Sequence, residues 1–511
     1  MAEQQNKSGY KDTHFFERKK RRKKLMSDCC SKENNTPNKN KKNTEPDLLV
    51  IGGGSGGFSA AITAAESGIT VVVAGHGTIG GTCVNVGCVP SKAMIRALES
   101  VHNAKEAKRF DGVKATAEIG DWKALVTQKQ NLVVSLRKAK YEDVLPSYDN
   151  VSYVAMNDKA RFTGNGTEVD IDGVLYRPKK VIIATGSSSS LPPINGIQSV
   201  PTLDSTAILE FETLPQSLLV IGGGVIGVEL GQMFSRAGVK VTICCRSRLL
   251  PDGEPEISQA LADYLRAEGV TVCDGITYQK IEKTVVGVKL TCKTDKGIEA
   301  IETEQILVAT GRKPNSDALD VDKVGVTLLK NGGIEVNEYM QTSHPDIYAV
   351  GDVTGKDMFV YMAAYGGKLA AKNAQEGNKH AYSNAAMPAV VFTDPQMAMV
   401  GLTEREAKAQ GYAVKVSLIT LDNVPRYIAA RDTRGLIKLV ADKKTDIILG
   451  GHILAPEAGD SIQTIVMSLK SGLTTKELAD TIFPYLTAVE GLKLAAQTFG
   501  KDVSKLSCCA G

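Results

Sequence analysis

No stretch of this 511-residue chain approaches the roughly eighteen consecutive apolar residues that a membrane-crossing helix needs, which excludes a membrane span. Strong compositional bias is also missing. Apolar residues make up 42% and charged residues 23%, so collagen, coiled coil and general disorder are excluded and a folded body is expected. Net charge is nearly absent at +4, and even that is local. Residues 1–46 hold 13 basic against 6 acidic side chains, including the unbroken basic run Arg18 to Lys24, while the remainder holds 48 against 51. A slightly acidic body lacks the footprint of a nucleic-acid-binding domain, and no nucleic-acid partner is expected. The leader lacks the apolar segment of a secretory signal, so it reads as a disordered tail and the chain as cytoplasmic. Histidine is scarce: His14, His76, His102, His344, His380 and His452 are all there are.

Glycine, in contrast, is abundant at 49 residues. Backbone that must turn tightly or approach a ligand needs it, which favours a nucleotide-binding α/β protein over a helical bundle. At roughly 100 to 200 residues per domain the length predicts three or four domains. Residues 48–54 and 218–224 both read LLVIGGG. Each copy predicts a buried parallel strand, a glycine turn and a helix, over 59–67 and 225–236, as a βαβ unit opens. They also close alike, in VIIATGS (181–187) and ILVATGR (306–312), strands that stop at a Thr-Gly turn. YAVGD at 348–352 supplies another strand after the second copy has closed, so the second unit is inserted into the first. From about residue 386 strand-like runs (389–393, 436–441, 447–454) and helical patterns (458–471, 475–481) predict a separate domain. The fold class is therefore α/β, with two Rossmann-like dinucleotide-binding domains and a C-terminal α+β domain. Its boundaries are 47–195 with 316–385, 196–315, and 386–511.

Gly52, Gly54 and Gly57 form a Gly-x-Gly-x-x-Gly pattern at the head of a helix, and Gly222, Gly224 and Gly227 repeat it. The pattern serves a tight turn, close approach to a pyrophosphate and close helix packing, with the helix N-terminus facing the phosphates. Glycine turns without a ligand could look the same once. Twice in a repeated context they predict two dinucleotide sites with electrons passing between them. After the second strand of the second unit come Cys245, Arg246, Ser247 and Arg248. No acid is there for a free 2′-hydroxyl, and Arg246 and Arg248 can meet a 2′-phosphate, which predicts NADPH. In the first unit the strand ends at Gly75 where an acid is expected, leaving the ribose to backbone, His76 or water. FAD is still expected there, because Asp352, following Gly351, places a carboxylate where the flavin's sugar-like chain would pass.

Ten cysteines are spaced unevenly: Cys29/Cys30, Cys244/Cys245 and Cys508/Cys509 are adjacent pairs, Cys83 and Cys88 are four residues apart by intervening count, and Cys273 and Cys292 stand alone. Such pairs suggest redox or metal chemistry more than a secreted disulfide framework. In GGTCVNVGCVPSK (80–92) Pro90 predicts a helix start, so Cys88 faces a positive helix end that lowers its pKa. Lys92, one turn on, can place a cation near the flavin, and Glu229 is its expected partner. A zinc half-site would have similar spacing, but the sequence offers no second half to complete it.

GGGSGG, GGTCVNVGC, VPSK, the two ATG strands, ATGRKPN and YAVGD, in this order over residues 47–511, resemble the flavin disulfide oxidoreductases, the family of glutathione reductase and dihydrolipoamide dehydrogenase. The resemblance implies FAD, a homodimer formed through the C-terminal domain, Cys83 as the thiol facing substrate and Cys88 as the thiol against the flavin. Among its implied cofactor contacts are Thr82, Gly186 and Gly311. Many members carry a Tyr at the position of Val225 that gates the nicotinamide pocket, so no gating role is carried over.

Ordinary disulfide reductases of the family carry His-Pro-Thr-x-x-Glu, whose His, oriented by the Glu, protonates a leaving thiolate. Here FPYLTAVEG (483–491) keeps Thr487 and Glu490 but has Tyr485 for His and Leu486 for Pro. With a phenol pKa near 10, Tyr485 is a poor proton shuttle. The chain then ends KLSCCAG, and a vicinal thiol pair beside a tyrosine suits a soft cation. These segments resemble the mercury(II)-reducing members, which implies Hg(II), delivered as thiol complexes, as substrate. By the same resemblance Cys508 and Cys509, from the partner subunit, capture the ion and pass it to Cys83 and Cys88. Those members often add an N-terminal metal-binding domain; Cys29 and Cys30 are too little for one. Two alternatives are a general disulfide or dihydrolipoamide reductase, and a non-catalytic thiol protein that sequesters metal.

Overall fold

The computed structural model describes residues 43–505. Strand β1 (Leu48–Ile51) leads through the first glycine turn into helix α1 (Ser55–Glu66), followed by β2 (Val71–His76), the short helix α2 (Gly81–Asn85), α3 (Cys88–Glu106), β3 (Val151–Met156) and β4 (Lys180–Ile183). The second unit runs β5 (Ser217–Ile221), α4 (Val225–Arg236), β6 (Lys240–Cys244), β7 (Thr271–Cys273) and β8 (Gln305–Val308). Then β9 (Ile347–Ala349) returns to the first sheet, followed by α5 (Val360–Glu376). The parallel orders are β9-β4-β1-β2-β3 and β7-β6-β5-β8.

Strand β1 is buried on both faces, which is why it reads as an unbroken apolar run. Leu48 and Val50 pack with Phe58, Ala60 and Ala371 from α1 and α5, whereas Leu49 and Ile51 pack with Phe162, Val169 and Tyr176 on the opposite side. Helix α1 begins at Ser55, directly on the glycine turn and four residues before the expected start. Helix α3 begins at Cys88, so Pro90 sits within its first turn, where a missing N–H costs no helical hydrogen bond.

The C-terminal sheet is antiparallel, in the order β10 (Ala389–Val391), β11 (Gln396–Gly401), β14 (Ile448–Ala455), β13 (Leu436–Asp442) and β12 (Val414–Thr420). Helices α6 (Ala458–Ser471) and α7 (Glu490–Gln497) cover one face, with Ile462, Ile465 and Leu492 in the same core as Ile437 and Ile453. The other face sends Val391, Met397, Leu436 and Leu454 into the core of the second nucleotide unit. The buried Lys438 ties the two together, 2.9 Å from carboxylate oxygens of Glu254, Glu256 and Glu404. Those carboxylates are the one grouping with metal-ligand spacing among the described residues, and an ammonium already sits in it.

Candidate active site around Cys83 and Cys88

The two glycine loops have the close contacts their pattern requires. At Gly52, φ is +128° and an added Cβ would lie 2.1 Å from the Ala184 carbonyl oxygen; at Gly57 it would lie 2.0 Å from that of Gly52. Gly222 (φ +117°) and Gly227 repeat both conflicts, at 2.3 Å from Ala309 and 2.1 Å from Gly222. Only glycine lets α1 and α4 start this close to their strands, with amide ends facing outward. That geometry fits a dinucleotide pyrophosphate at each loop.

Helix α2 brings Cys83 to the first of these loops: a Cβ on Gly81 would fall 2.7 Å from the Gly54 Cα. Cys88 follows as the first residue of α3, exposed, with its helix N-terminus behind it. A hydrogen bond from the Cys83 thiol holds Cys88 down at about 7 from the ordinary 9, with burial opposing and the Lys92 charge assisting. The same bond, together with burial, pushes Cys83 well up. One thiol is thus set to be a thiolate and the other to stay protonated. Thr82, exposed beside Cys83, uses its carbonyl to accept from Val86 N.

Lys92 Nζ donates to Glu229 Oε2 at 2.6 Å and lies 4.9 Å from the Phe392 ring centroid. Glu229 is 4% exposed, and its Oε1 accepts from Phe392 N at 2.9 Å. Asp352 closes the far end of the first sheet, accepting from Ser187 Oγ at 2.6 Å; Ser187 in turn accepts from Arg312 Nε at 2.7 Å. Gly186 (φ +71°) and Gly311 (φ +121°) both hold left-handed turns. The backing of Asp352 by Ser187 and Arg312 had no signal in spacing, since 165 residues separate Asp352 from Ser187.

Arg246 is exposed at the end of β6, open to a phosphate. Arg248 departs from expectation: it donates to Ser258 Oγ and to the carbonyls of Pro251 and Gly253, so its guanidinium is committed to holding the following loop. Cys273 and Cys292 do not stand alone either. Cys273 is registered against Cys244 across β6 and β7, and Cys244 and Cys292 share one buried core against which Cys273 packs.

On the C-terminal domain, Glu490 is buried and accepts from Leu486 N at 2.9 Å. Leu486 has φ +59°, so the carboxylate stabilises a strained turn that presents Tyr485, 55% exposed. Cys29, Cys30, Cys508 and Cys509 lie outside the described residues.

The family model described as "Pyridine nucleotide-disulphide oxidoreductase" matches residues 46–377, and the dimerisation domain of the same name matches residues 387–496. The chain belongs to the pyridine nucleotide-disulphide oxidoreductase family. Within the family it is 45% identical over 455 residues to the mercuric reductase of Lysinibacillus sphaericus, covering 89% of this chain and 82% of that one. It is 43% identical over 458 residues to the mercuric reductase of Streptomyces lividans, covering 89% and 96%. A solved structure to which the chain is similar is the HOCl-induced flavoprotein disulfide reductase RclA of Escherichia coli, as its Cu(II) complex. It has a TM-score of 0.77 and 27% identity, covering 89% of this chain and all of that one.

Proposed function

We propose that this protein is an NADPH-dependent flavoprotein that reduces Hg(II) to Hg(0), for mercury detoxification, with FAD on the first glycine loop and NADPH on the second. The bound cofactors would supply a two-electron path from the hydride of NADPH to the ion. The chain's own residues do the rest. Cys88, already a thiolate near neutral pH, and Cys83, whose thiol proton passes to a departing ligand, take Hg(II) in line between two sulfurs, each sulfur displacing one of the ion's two incoming thiolate ligands. Lys92, steadied by Glu229, sets a positive charge beside the thiolate. Asp352 would hydrogen-bond the flavin's polyol chain, and Arg246 the 2′-phosphate of NADPH.

The observation that carries mercury over disulfide chemistry is the turn at Tyr485 and Leu486. Glu490, which in a disulfide reductase orients a proton-donating histidine, here accepts from backbone and holds out a phenol. Without a proton donor for a leaving thiol, a substrate that leaves as a neutral atom is favoured. Delivery of Hg(II) as thiol complexes by Cys508 and Cys509, a homodimer through the C-terminal domain, the domain boundaries given above and a cytoplasmic location belong to the same reading. Among the described residues no helix is long and apolar enough to cross a membrane.

The test is NADPH oxidation by the purified yellow protein with and without Hg(II). Oxidation that requires Hg(II) and releases Hg(0) is expected; turnover with glutathione disulfide but not Hg(II) would overturn the assignment, and no turnover with either would favour sequestration.

A further inference from the structure

Strand β2 ends without the acid that a dinucleotide-binding strand presents to a ribose, and the space is filled from the neighbouring strand. In the β2–β3 ladder Val73 is paired with Tyr153 and Gly75 with Ala155. Tyr153 is therefore the diagonal neighbour of Gly75 on the same face, within reach of an aromatic side chain. It leans toward the carboxyl ends of the strands. A Cβ added to Gly75 would lie 2.0 Å from the Tyr153 hydroxyl oxygen and 2.7 Å from its Cζ, and one on Gly53, inside the glycine loop, 2.9 Å from the same oxygen. The phenol and any side chain at residue 75 exclude each other. Burial alone raises the Tyr153 pKa above the ordinary 10, and among the described residues no hydrogen bond reaches the hydroxyl. A half-buried phenol has thus been brought to the glycine loop with its polar end unused.

We propose that Tyr153 replaces the missing acid, its hydroxyl hydrogen-bonding the 2′-hydroxyl of the adenosine ribose of FAD. The proposal rests on the reading that FAD occupies the first glycine loop. A phenol differs from a carboxylate in two ways that can be measured: it can donate as well as accept, and it keeps one charge state as pH falls through about 4, where a carboxylate protonates.

The full-length chain, stripped of flavin, is titrated with FAD and with the FAD analogue whose adenosine lacks the 2′-hydroxyl, following flavin fluorescence. Wild type should prefer FAD by roughly fivefold, the size of one neutral hydrogen bond. Tyr153→Phe, which keeps the ring and its packing, should bring the ratio to about one. Each ratio is measured within one protein, so a general loss of affinity cancels. The wild-type ratio should also stay flat from about pH 3.5 to 8, a measurement that needs no variant. A ratio that Tyr153→Phe leaves intact, or one that falls as a carboxylate protonates, would overturn the proposal. A wild-type protein that binds neither compound would instead overturn the assignment of FAD to this loop.

Discussion

At the first glycine of each nucleotide loop a Cβ would fall 2.1 Å from a returning-strand carbonyl in one unit and 2.3 Å in the other; at the third glycine the values are 2.0 and 2.1 Å. Even the hydrogen bonds correspond, Gly52 N to Ala74 O at 2.8 Å and Gly222 N to Cys244 O at 2.9 Å. This correspondence equates Gly75 with Cys245 and His76 with Arg246. The two units then part company: behind Gly53 stands the hydroxyl of Tyr153, and behind Gly223 the Cβ and Sγ of Cys245, each 3.0 Å from an added Cβ. Backbone geometry, which both units share, sets where a pyrophosphate can lie. The side chains behind the loop, which they do not share, are where a difference in the sugar bound by each would arise.

The strongest way to break this comparison is to damage one loop at a time. Gly52→Ala should abolish flavin retention, read as the flavin-to-protein absorbance ratio. Gly222→Ala should leave flavin bound and raise the KM for NADPH by about 100-fold or more. Flavin loss in both variants would show that the loops are not separate sites.

Cys88 of the first unit and Cys245 of the second should differ next most. Cys88 is held at about 7, whereas burial pushes Cys245 up to about 12. A lowered pKa means that the thiolate persists above pH 7 and is lost as pH falls through it. Alkylation of the reduced protein, mapped by peptide, should therefore follow a midpoint near pH 7 at Cys88, with Cys245 unreactive there. Cys273, held at about 7 by a hydrogen bond from Cys244, should resemble Cys88. At neutral pH the difference between a thiol at 7 and one at 9 is about 50-fold in thiolate.

Glu229 belongs to the second unit but serves a lysine of the first. Glu229→Gln should cost about 2 kcal/mol in denaturant unfolding, because Lys92 loses its charged partner while Phe392 N keeps an acceptor. An unchanged midpoint would mean that the pair is not holding the units together.

The smallest expected effects separate two arginines. Arg246→Ala should raise the KM for NADPH about tenfold and leave that for NADH unchanged. Arg248→Ala should leave the two cofactors' ratio alone and lower stability by about 1 kcal/mol, because it removes bonds to Pro251, Gly253 and Ser258. A reversed pattern would return the 2′-phosphate to Arg248.

The parts legible in the sequence are those whose contacts are local or repeated. The glycine loops announce themselves through LLVIGGG, and the pairing of Cys83 with Cys88 through a fixed short spacing. Lys92 and Glu229, 137 residues apart, were legible only because each stands at a definite turn of a helix opening on its own motif. What escaped has no such anchor. Tyr153 reaches Gly75 through strand register, which no single strand encodes. Arg248 carries the right charge beside the right strand, yet its guanidinium is taken by carbonyls that any sequence would supply. Strands β11 and β12 were missed beside the longer apolar runs of β13 and β14, although VKVSLIT alternates buried and exposed residues along β12.

Glu229 also imposes a timetable. Its two partners are made at different moments: Lys92 has left the ribosome before the carboxylate appears, but Phe392 follows 163 residues later. At roughly 5 to 20 residues per second that is a wait of about 8 to 30 s. During it, helix α3 can dock onto the second unit through Lys92, while the other oxygen of a carboxylate destined for burial still lacks its donor. Only arrival of the last domain completes the joint. A chain that stops short of residue 392 lacks that donor, so the joint between the two units can be complete only once the C-terminal domain has begun to be made.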